Sequence, residues 1–410
     1  MLKLKEIIRL LMCCIVLTAW SVAFAQEEGS LKKEMDALKK EFENMKVDYE
    51  KKINELEARL DRNEGAHKQD MGHGRKQKDV HEQSQIETHR ETEHKHQHGV
   101  LGNRVKLIGA LDGRFHNFEN QKNSLFIHEA VLGAQADITD WLFANITFSK
   151  HHGEDPEIEE GYALFRFEEA DGQVKAGKFF VDFGPENTAH FFDRRTIMFS
   201  AMHQGMFGEE SWKDTGGWIN WRVPVDFYSD ISFSVVNGNN AESFGDGTDE
   251  ISNNNMPIVA HFTNGFDTLC GYFRIGNSFS WGTWDADSEY DVFLVGGDAY
   301  YCLKGFELQA ELIYRYKEQP GLSGEENAYG YYILGAYNVP LEWKYLENLE
   351  FLVSFGQFIP DTGTSETKYA PQISFQFNDF TKLRAAYEFR SLLPGETRNN
   401  RFIAQLALEF

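Results

Sequence analysis

The last ten residues constrain the fold more than any other stretch of the chain. In Arg401-Phe402-Ile403-Ala404-Gln405-Leu406-Ala407-Leu408-Glu409-Phe410, the side chains of Phe402, Ala404, Leu406, Leu408 and Phe410 share one face, with Gln405 and Glu409 on the other. That is the period of two of an extended strand, whose successive side chains point to opposite sides. The arrangement repeats upstream. Leu383, Ala385, Tyr387 and Phe389 alternate with Lys382, Arg384, Glu388 and Arg390, and Leu308, Ala310, Leu312 and Tyr314 alternate with Glu307, Gln309, Glu311 and Arg315. A soluble sandwich also alternates, but its strands average about five or six residues. These stretches run to about ten, the length a tilted strand needs to cross a bilayer, and aromatic residues gather near their ends as interfacial girdles do.

Composition agrees with that reading. The 410-residue chain has 58 aromatic residues (34 Phe, 16 Tyr and 8 Trp), and all but Trp20, Phe24, Phe42 and Tyr49 lie beyond residue 98. Its net charge is -23, and the portion after residue 98 carries 23 basic against 45 acidic side chains. So many aromatics do not suit an acidic soluble surface, whereas a closed barrel turns aromatics to lipid and carboxylates to water on the same strand. The acidity excludes nucleic acid as a partner, because Lys and Arg drive binding to phosphates. The only long apolar run lies within the first 25 residues, so a helical membrane protein is excluded as well.

That first run reads as a signal peptide over 1–25. Lys3, Lys5 and Arg9 precede the apolar core Leu10 to Ala19, and Ala23-Phe24-Ala25 supplies a small-x-small cleavage site. Met12 and the bulky residues before Cys13 and Cys14 argue against lipidation there. Residues 26–63 read as a periplasmic coiled-coil helix with a seam at Leu31, Met35, Leu38, Phe42, Met45 and Tyr49. A stutter separates that seam from Ile53, Leu56 and Leu60. Residues 64–99 carry no apolar periodicity and read as a flexible linker holding seven of the fourteen histidines. The close set His94, His96 and His98 offers imidazoles to zinc, copper or nickel, while the bland reading is a polar tether.

From residue 100 to 410 the chain divides into sixteen stretches of period two. They begin near residues 104, 125, 141, 160, 173, 215, 228, 257, 268, 291, 305, 328, 349, 369, 381 and 401. The fold class expected is all-β, a transmembrane antiparallel barrel of about sixteen strands. Short connections at 137–140, 169–172, 223–227, 264–267, 303–305 and 378–380, with a somewhat longer one around 340–348, alternate with long polar ones. Outer-membrane barrels show this alternation of short periplasmic turns and long external loops, which puts the N-terminal helix in the periplasm. The longest connection, 184–214, is the third external loop, and an ordered loop of that length is usually functional.

Sixteen strands, a terminal Phe and a long third loop make the chain similar to bacterial porins, the family in which that loop folds into the lumen as a constriction. The segment Ala176-Gly177-Lys178-Phe179-Phe180-Val181-Asp182-Phe183-Gly184-Pro185-Glu186-Asn187 resembles the G-x-F-x-x-x-F-G-x-E-N segment of phosphate-selective porin O/P-like proteins. The run from Glu129 through His190 to Phe207-Gly208-Glu209-Glu210, then Thr215-Gly216-Gly217 and Val236-Asn237-Gly238, resembles a porin-like group labelled zinc-regulated outer-membrane receptors. The resemblance implies an outer-membrane homotrimer in contact with lipid and lipopolysaccharide that passes small solutes or ions. A TonB-dependent receptor is not expected, since only a helix and a linker precede the barrel.

Asp182, Glu186, His190, Asp193, Arg194, Arg195, His203, Glu209 and Glu210 are the expected constriction residues, and Arg315, Lys382, Arg384, Glu388 and Arg390 the expected lumen-facing ones. Parity also turns His116, His261, Asp298, Glu307 and Glu311 inward. With the barrel portion at a net charge of -22, a mixed eyelet preferring cations is expected and phosphate selectivity is not, because carboxylate rings favour cations. Some of the acid, such as 242–250, has a simpler use on external loops, bridged to lipopolysaccharide by divalent ions. No cofactor is required, but His151, His152, Glu154 and Asp155 in the second external loop, with Glu157, Glu159 and Glu160 following, mix imidazole and carboxylate as a loosely held divalent metal such as zinc prefers. Cys270 and Cys302 are expected as cross-strand neighbours facing the lumen, placed for a disulfide. No Ser/His/Asp order, Gly-rich phosphate loop or fixed zinc motif points to an enzyme. Two functions remain open: a diffusion channel, and a structural tether joining the outer membrane to the cell wall or a periplasmic partner.

Overall fold

The computed structural model describes residues 104–118, 122–238, 256–268, 271–284, 289–319, 324–392 and 400–410. The expected signal peptide, coiled-coil helix and linker, with His94, His96 and His98, lie outside these residues. So do the acidic stretch 242–250 and Cys270.

Sixteen strands form one closed antiparallel barrel in which each pairs with its sequence neighbours and the first pairs with the last. They are β1 (Val105–Phe118), β2 (Ser124–Thr139), β3 (Leu142–His151), β4 (Glu157–Phe167), β5 (Gly172–Phe180), β6 (Lys213–Arg222), β7 (Tyr228–Val236) and β8 (Ile258–Thr268). The second half comprises β9 (Gly271–Thr283), β10 (Asp291–Leu303), β11 (Phe306–Glu318), β12 (Glu325–Trp343), β13 (Leu346–Pro360), β14 (Glu366–Asn378), β15 (Thr381–Leu392) and β16 (Arg401–Glu409). Every strand starts within three residues of its expected position. Closure is sealed at the C-terminus, where Gly109 and Phe410 exchange two backbone hydrogen bonds of 2.8 Å. In hydrocarbon an unpaired N–H or C=O costs several kcal/mol, and a closed ladder removes the edge that would expose such groups.

Two turns depart from expectation. The hairpin placed at 264–267 lies instead between Thr268 and Gly271, because β8 stays in register through Thr268. The longer connection placed at 340–348 shrinks to the two residues between Trp343 and Leu346, with a bulge between Pro340 and Trp343. A bulge accommodates Pro340, which has no N–H for the ladder, so this proline marks an irregular strand and not a loop.

Leu132, Phe148, Leu312, Phe351 and Leu406 face outward and are exposed, and Trp141, Trp343 and Tyr345 stand at the rim of the short turns. Arg114, Ser280, Arg384, Glu388 and Gln405 face inward and are buried. The alternation fails on one wall. Val292, Leu294, Ile313, Leu334 and Leu352 point inward yet are apolar, and they pack with Phe183, Met202, Met206, Phe207 and Trp212 of the connection 181–212, termed L3 below. The largest buried apolar cluster therefore lies inside the barrel, where the wall meets protein in place of water.

Candidate functional site

L3 begins three residues earlier than expected and ends two earlier, between Phe180 and Lys213. Its two ends are tied together. The Val181 N–H donates to the Trp212 carbonyl at 2.9 Å, and Asn187 bridges both ends with one amide. The Asn187 Nδ2 donates to the carbonyls of Val181 at 2.7 Å and Trp212 at 3.2 Å, while its Oδ1 accepts from the Trp212 N–H at 2.6 Å. Asn187 closes the short helix α1 (Gly184–Asn187), which opens on Pro185 at its first turn. Gly184 has a φ of 70°, and a Cβ there would overlap the Glu311 carboxylate. Its N–H donates to the Ser278 hydroxyl on the wall at 3.0 Å.

The second helix of L3, α2 (Ala201–Phe207), is capped by Ser200, whose hydroxyl accepts from the His203 N–H at 3.1 Å. Glu186 fixes that cap, accepting from the Ser200 N–H at 2.7 Å and hydroxyl at 2.6 Å. Burial pushes the Glu186 carboxyl above its usual range, against the lowering effect of those two bonds and of Arg194 and Lys368. His203 is fully buried and stacks on Phe199 with centroids 3.9 Å apart. Burial, helped by Arg194 and Lys368, pushes its imidazole down to about 3, so at neutral pH it is an uncharged packing residue.

The charged residues of L3 meet inward side chains of the wall. Arg195 pairs with Glu307 of β11 and with Glu350 of β13, the latter at 2.5 Å. Burial opposes its charge, but Glu350 and Glu307 outweigh that and hold its pKa above the ordinary value. Arg194 lies over the Phe199 ring at 3.8 Å and donates to the carbonyls of Thr196 and Ile197. Burial and the nearby Arg114 depress its pKa to about 10. Arg384 donates to the carbonyls of Phe191, Phe192 and Arg194, and Lys382 to that of Phe192 at 3.1 Å. Arg315 reaches the Gly205 carbonyl and Glu326, Glu388 pairs with Arg401, and Arg390 pairs with Glu366. Asp193 and Glu209 remain exposed, and Asp182 accepts from the Ser232 hydroxyl.

Asp298 also faces inward, with its Oδ2 buried and without a hydrogen-bond partner. His261 contacts Ser278 at 2.8 Å and Thr263 at 2.7 Å. Cys302 has a free thiol and lies opposite Tyr272; the expected disulfide falls outside the described residues with Cys270.

The second-loop residues separate. His151 joins Glu129 at 3.9 Å and Glu210 at 3.6 Å. His152 turns to the Phe126 ring, with centroids 4.6 Å apart, and Glu154 stays exposed. His190 instead meets Glu159 at 3.8 Å and Glu129 at 3.9 Å. Burial would lower its pKa, but the pairing with Glu159 and the charges of Glu129 and Asp193 raise it to about 9. Lys213 joins the same cluster, 2.9 Å from Glu210 and 3.1 Å from Glu157; sequence reasoning gave neither Glu129 nor Lys213 a place in it, and also missed Gln372. The Gln372 amide holds the L3 backbone by donating to the Arg195 carbonyl at 2.6 Å and accepting from the Ile197 N–H at 3.0 Å. Strand parity alone turns Gln372 inward; nothing local in the sequence marks it as an anchor for L3.

No family model matches the sequence. An uncharacterized protein of Aquifex aeolicus (strain VF5) is 31% identical over 139 residues, which are 32% of this chain. The chain spans 28% of that relative's length in the match. Three solved structures share the architecture over 75% of this chain. An anion-selective porin from Comamonas acidovorans is 10% identical, with 99% of it covered and a TM-score of 0.53. The OmpF of Salmonella typhi, solved with daunomycin, is 14% identical, with 98% covered and a TM-score of 0.52. The outer membrane channel DcaP of Acinetobacter baumannii is 12% identical, with 97% covered and a TM-score of 0.51. At these identities the likeness stands at the level of the barrel and does not reach a phosphate-selective or zinc-regulated group. The fold is that of a sixteen-stranded porin.

Proposed function

We propose that the chain is an outer-membrane porin, a passive channel for small hydrophilic solutes in which L3 sets the narrowest passage and cations are preferred. The observation that carries this reading is the pairing of an apolar exterior with a charged interior, into which L3 folds and is anchored by Arg384, Gln372 and Arg195. Interior basic groups are largely matched by acids: Arg114 by Asp112, Arg195 by Glu307 and Glu350, Lys213 by Glu157 and Glu210, and Arg401 by Glu388. Asp182 and Asp230, in contrast, are held by the Ser232 hydroxyl and the Asn220 amide. Asp182 of L3, Asp230 of β7 and Asp298 of β10 are thus left over, and such acid favours cations, as carboxylate rings do. Planar-bilayer recording tests both parts. A silent protein overturns the channel, and a reversal potential of anionic sign in a KCl gradient overturns the preference.

A further inference from the structure

We propose that Glu129, Glu159, His190 and His151 form a binding site for one divalent transition-metal ion with the ligand preferences of zinc. Glu129 Oε1 lies 3.9 Å from Nε2 of both His151 and His190, and His190 Nε2 lies 3.8 Å from Glu159 Oε2. Ligand atoms around a tetrahedral zinc, bonded at about 2.0–2.1 Å, stand about 3.3 Å apart. The ligand atoms of Glu129, Glu159 and His190 all lie within 4.8 Å of one another, and His151 reaches this set through Glu129; each of the three contacts given closes by about half an ångström as the ion is seated, and His151 swings in as the fourth ligand.

Two irregularities of the ladder deliver these ligands. The β1–β2 register passes from Asp112 opposite Glu129 to Gly113 opposite Ile127, leaving His128 as an extra residue. The β3–β4 register passes from Thr147 opposite Glu160 to Phe148 opposite Ile158, leaving Glu159 as the extra one. Bulges re-aim side chains and gather near functional sites. Regular alternation would send one of Glu159 and Glu160 to lipid, and the bulge keeps both off it: Glu159 is buried and Glu160 half-buried.

The cluster also holds unmet bonding capacity. The Glu129 side chain is 7% exposed, and the two imidazoles lie within ion-pair range of its carboxylate. The His151 Nε2 is buried without a hydrogen-bond partner. The adjoining trio of His151, Glu157 and Glu210 differs, because Lys213 already sits 3.1 Å from Glu157 and 2.9 Å from Glu210 but 3.9 Å from Glu159. Two imidazoles with two carboxylates suit zinc, whereas magnesium and calcium take oxygen ligands. Since His190 belongs to L3 and the other three to the wall, the ion ties L3 to β2, β3 and β4. The site stands on this geometry whether or not the barrel conducts.

The competing account is an ionic cluster in which a protonated His190 balances Glu129 and Glu159 without metal. Zinc stoichiometry of the refolded full chain, measured by calorimetry against the Glu129→Gln, His190→Gln and Glu157→Gln variants, separates the two. One zinc equivalent lost in the first two and retained in Glu157→Gln is expected, with no displacement by magnesium chloride. Equal stoichiometry in all four proteins, or displacement by magnesium, overturns the site. Hydrogen exchange on the unsubstituted chain decides the matter even where a variant does not refold. Zinc must slow amide exchange across 188–195, and unchanged exchange there overturns the proposal.

Discussion

Asn187 shows how much of L3 rests on single side chains. Its amide holds both the entry and the exit of the loop through three hydrogen bonds, and it is buried, so water cannot replace them. Asn187→Ala leaves the Trp212 N–H without its partner. Since a buried orphaned group costs about 1–3 kcal/mol, a loss of about 2 kcal/mol is expected in urea unfolding followed by tryptophan fluorescence. Gly184→Ala strikes the same hinge differently, through a φ of 70° and overlap with the Glu311 carboxylate. A positive φ disfavours Ala by about 1 kcal/mol or more, so L3 in that variant should be cut by protease sooner than in the parent, with strand content unchanged by circular dichroism. In the sequence the Gly184-Pro185-Glu186-Asn187 run stood out only through its resemblance to a porin segment. Its roles in hinge, cap and clasp were not legible, because the partners Glu311, Ser200 and Trp212 are scattered along the chain.

At the scale of elements, L3 was legible from its length and the strands from their period, but the contact between them was not. Inward Val292, Leu294 and Ile313 broke the polar-inside rule, and no local signal says that a loop 100 residues away covers them. The two bulges escaped for a related reason: an extra residue in a ladder shifts parity, and parity was the only guide. Docking of α2 against this wall should depend on pH through His203. Its pKa is about 3 when folded and near 6.5 when released. A depressed folded value means that the released state binds more protons, so the contribution is full above 6.5 and declines as pH falls toward 3. By pH 5 about 2 kcal/mol is lost. Hydrogen exchange over 199–210 should therefore rise at pH 5 relative to the His203→Phe variant, which keeps an uncharged ring on Phe199. Equal exchange in the two proteins at both pH values would remove His203 as the cause.

For the whole molecule, the sequence carried closure and the acid excess, while the matching of charges belonged to the fold. Composition alone gives 23 basic and 45 acidic residues after residue 98, which says nothing about which charges a passing ion meets. In the barrel, Arg195 is matched by two glutamates, and Arg384 is taken up by L3 carbonyls. Asp182 and Asp230 are left with neutral hydrogen-bond donors, and Asp298 has an oxygen with none. Selectivity should therefore follow these three and not the total. Converting all three to Asn should move the reversal potential in a KCl gradient toward zero, whereas neutralising exposed Glu168 and Glu169 at a short turn should leave it in place. Ionic strength supplies an internal check. The screening length falls from about 10 Å at 0.1 M to about 3 Å at 1 M, so the cation preference of the unsubstituted chain should shrink as salt rises. The triple variant should vary little over the same range. A preference that ignores both salt and the three substitutions would have to arise from pore size and not from charge.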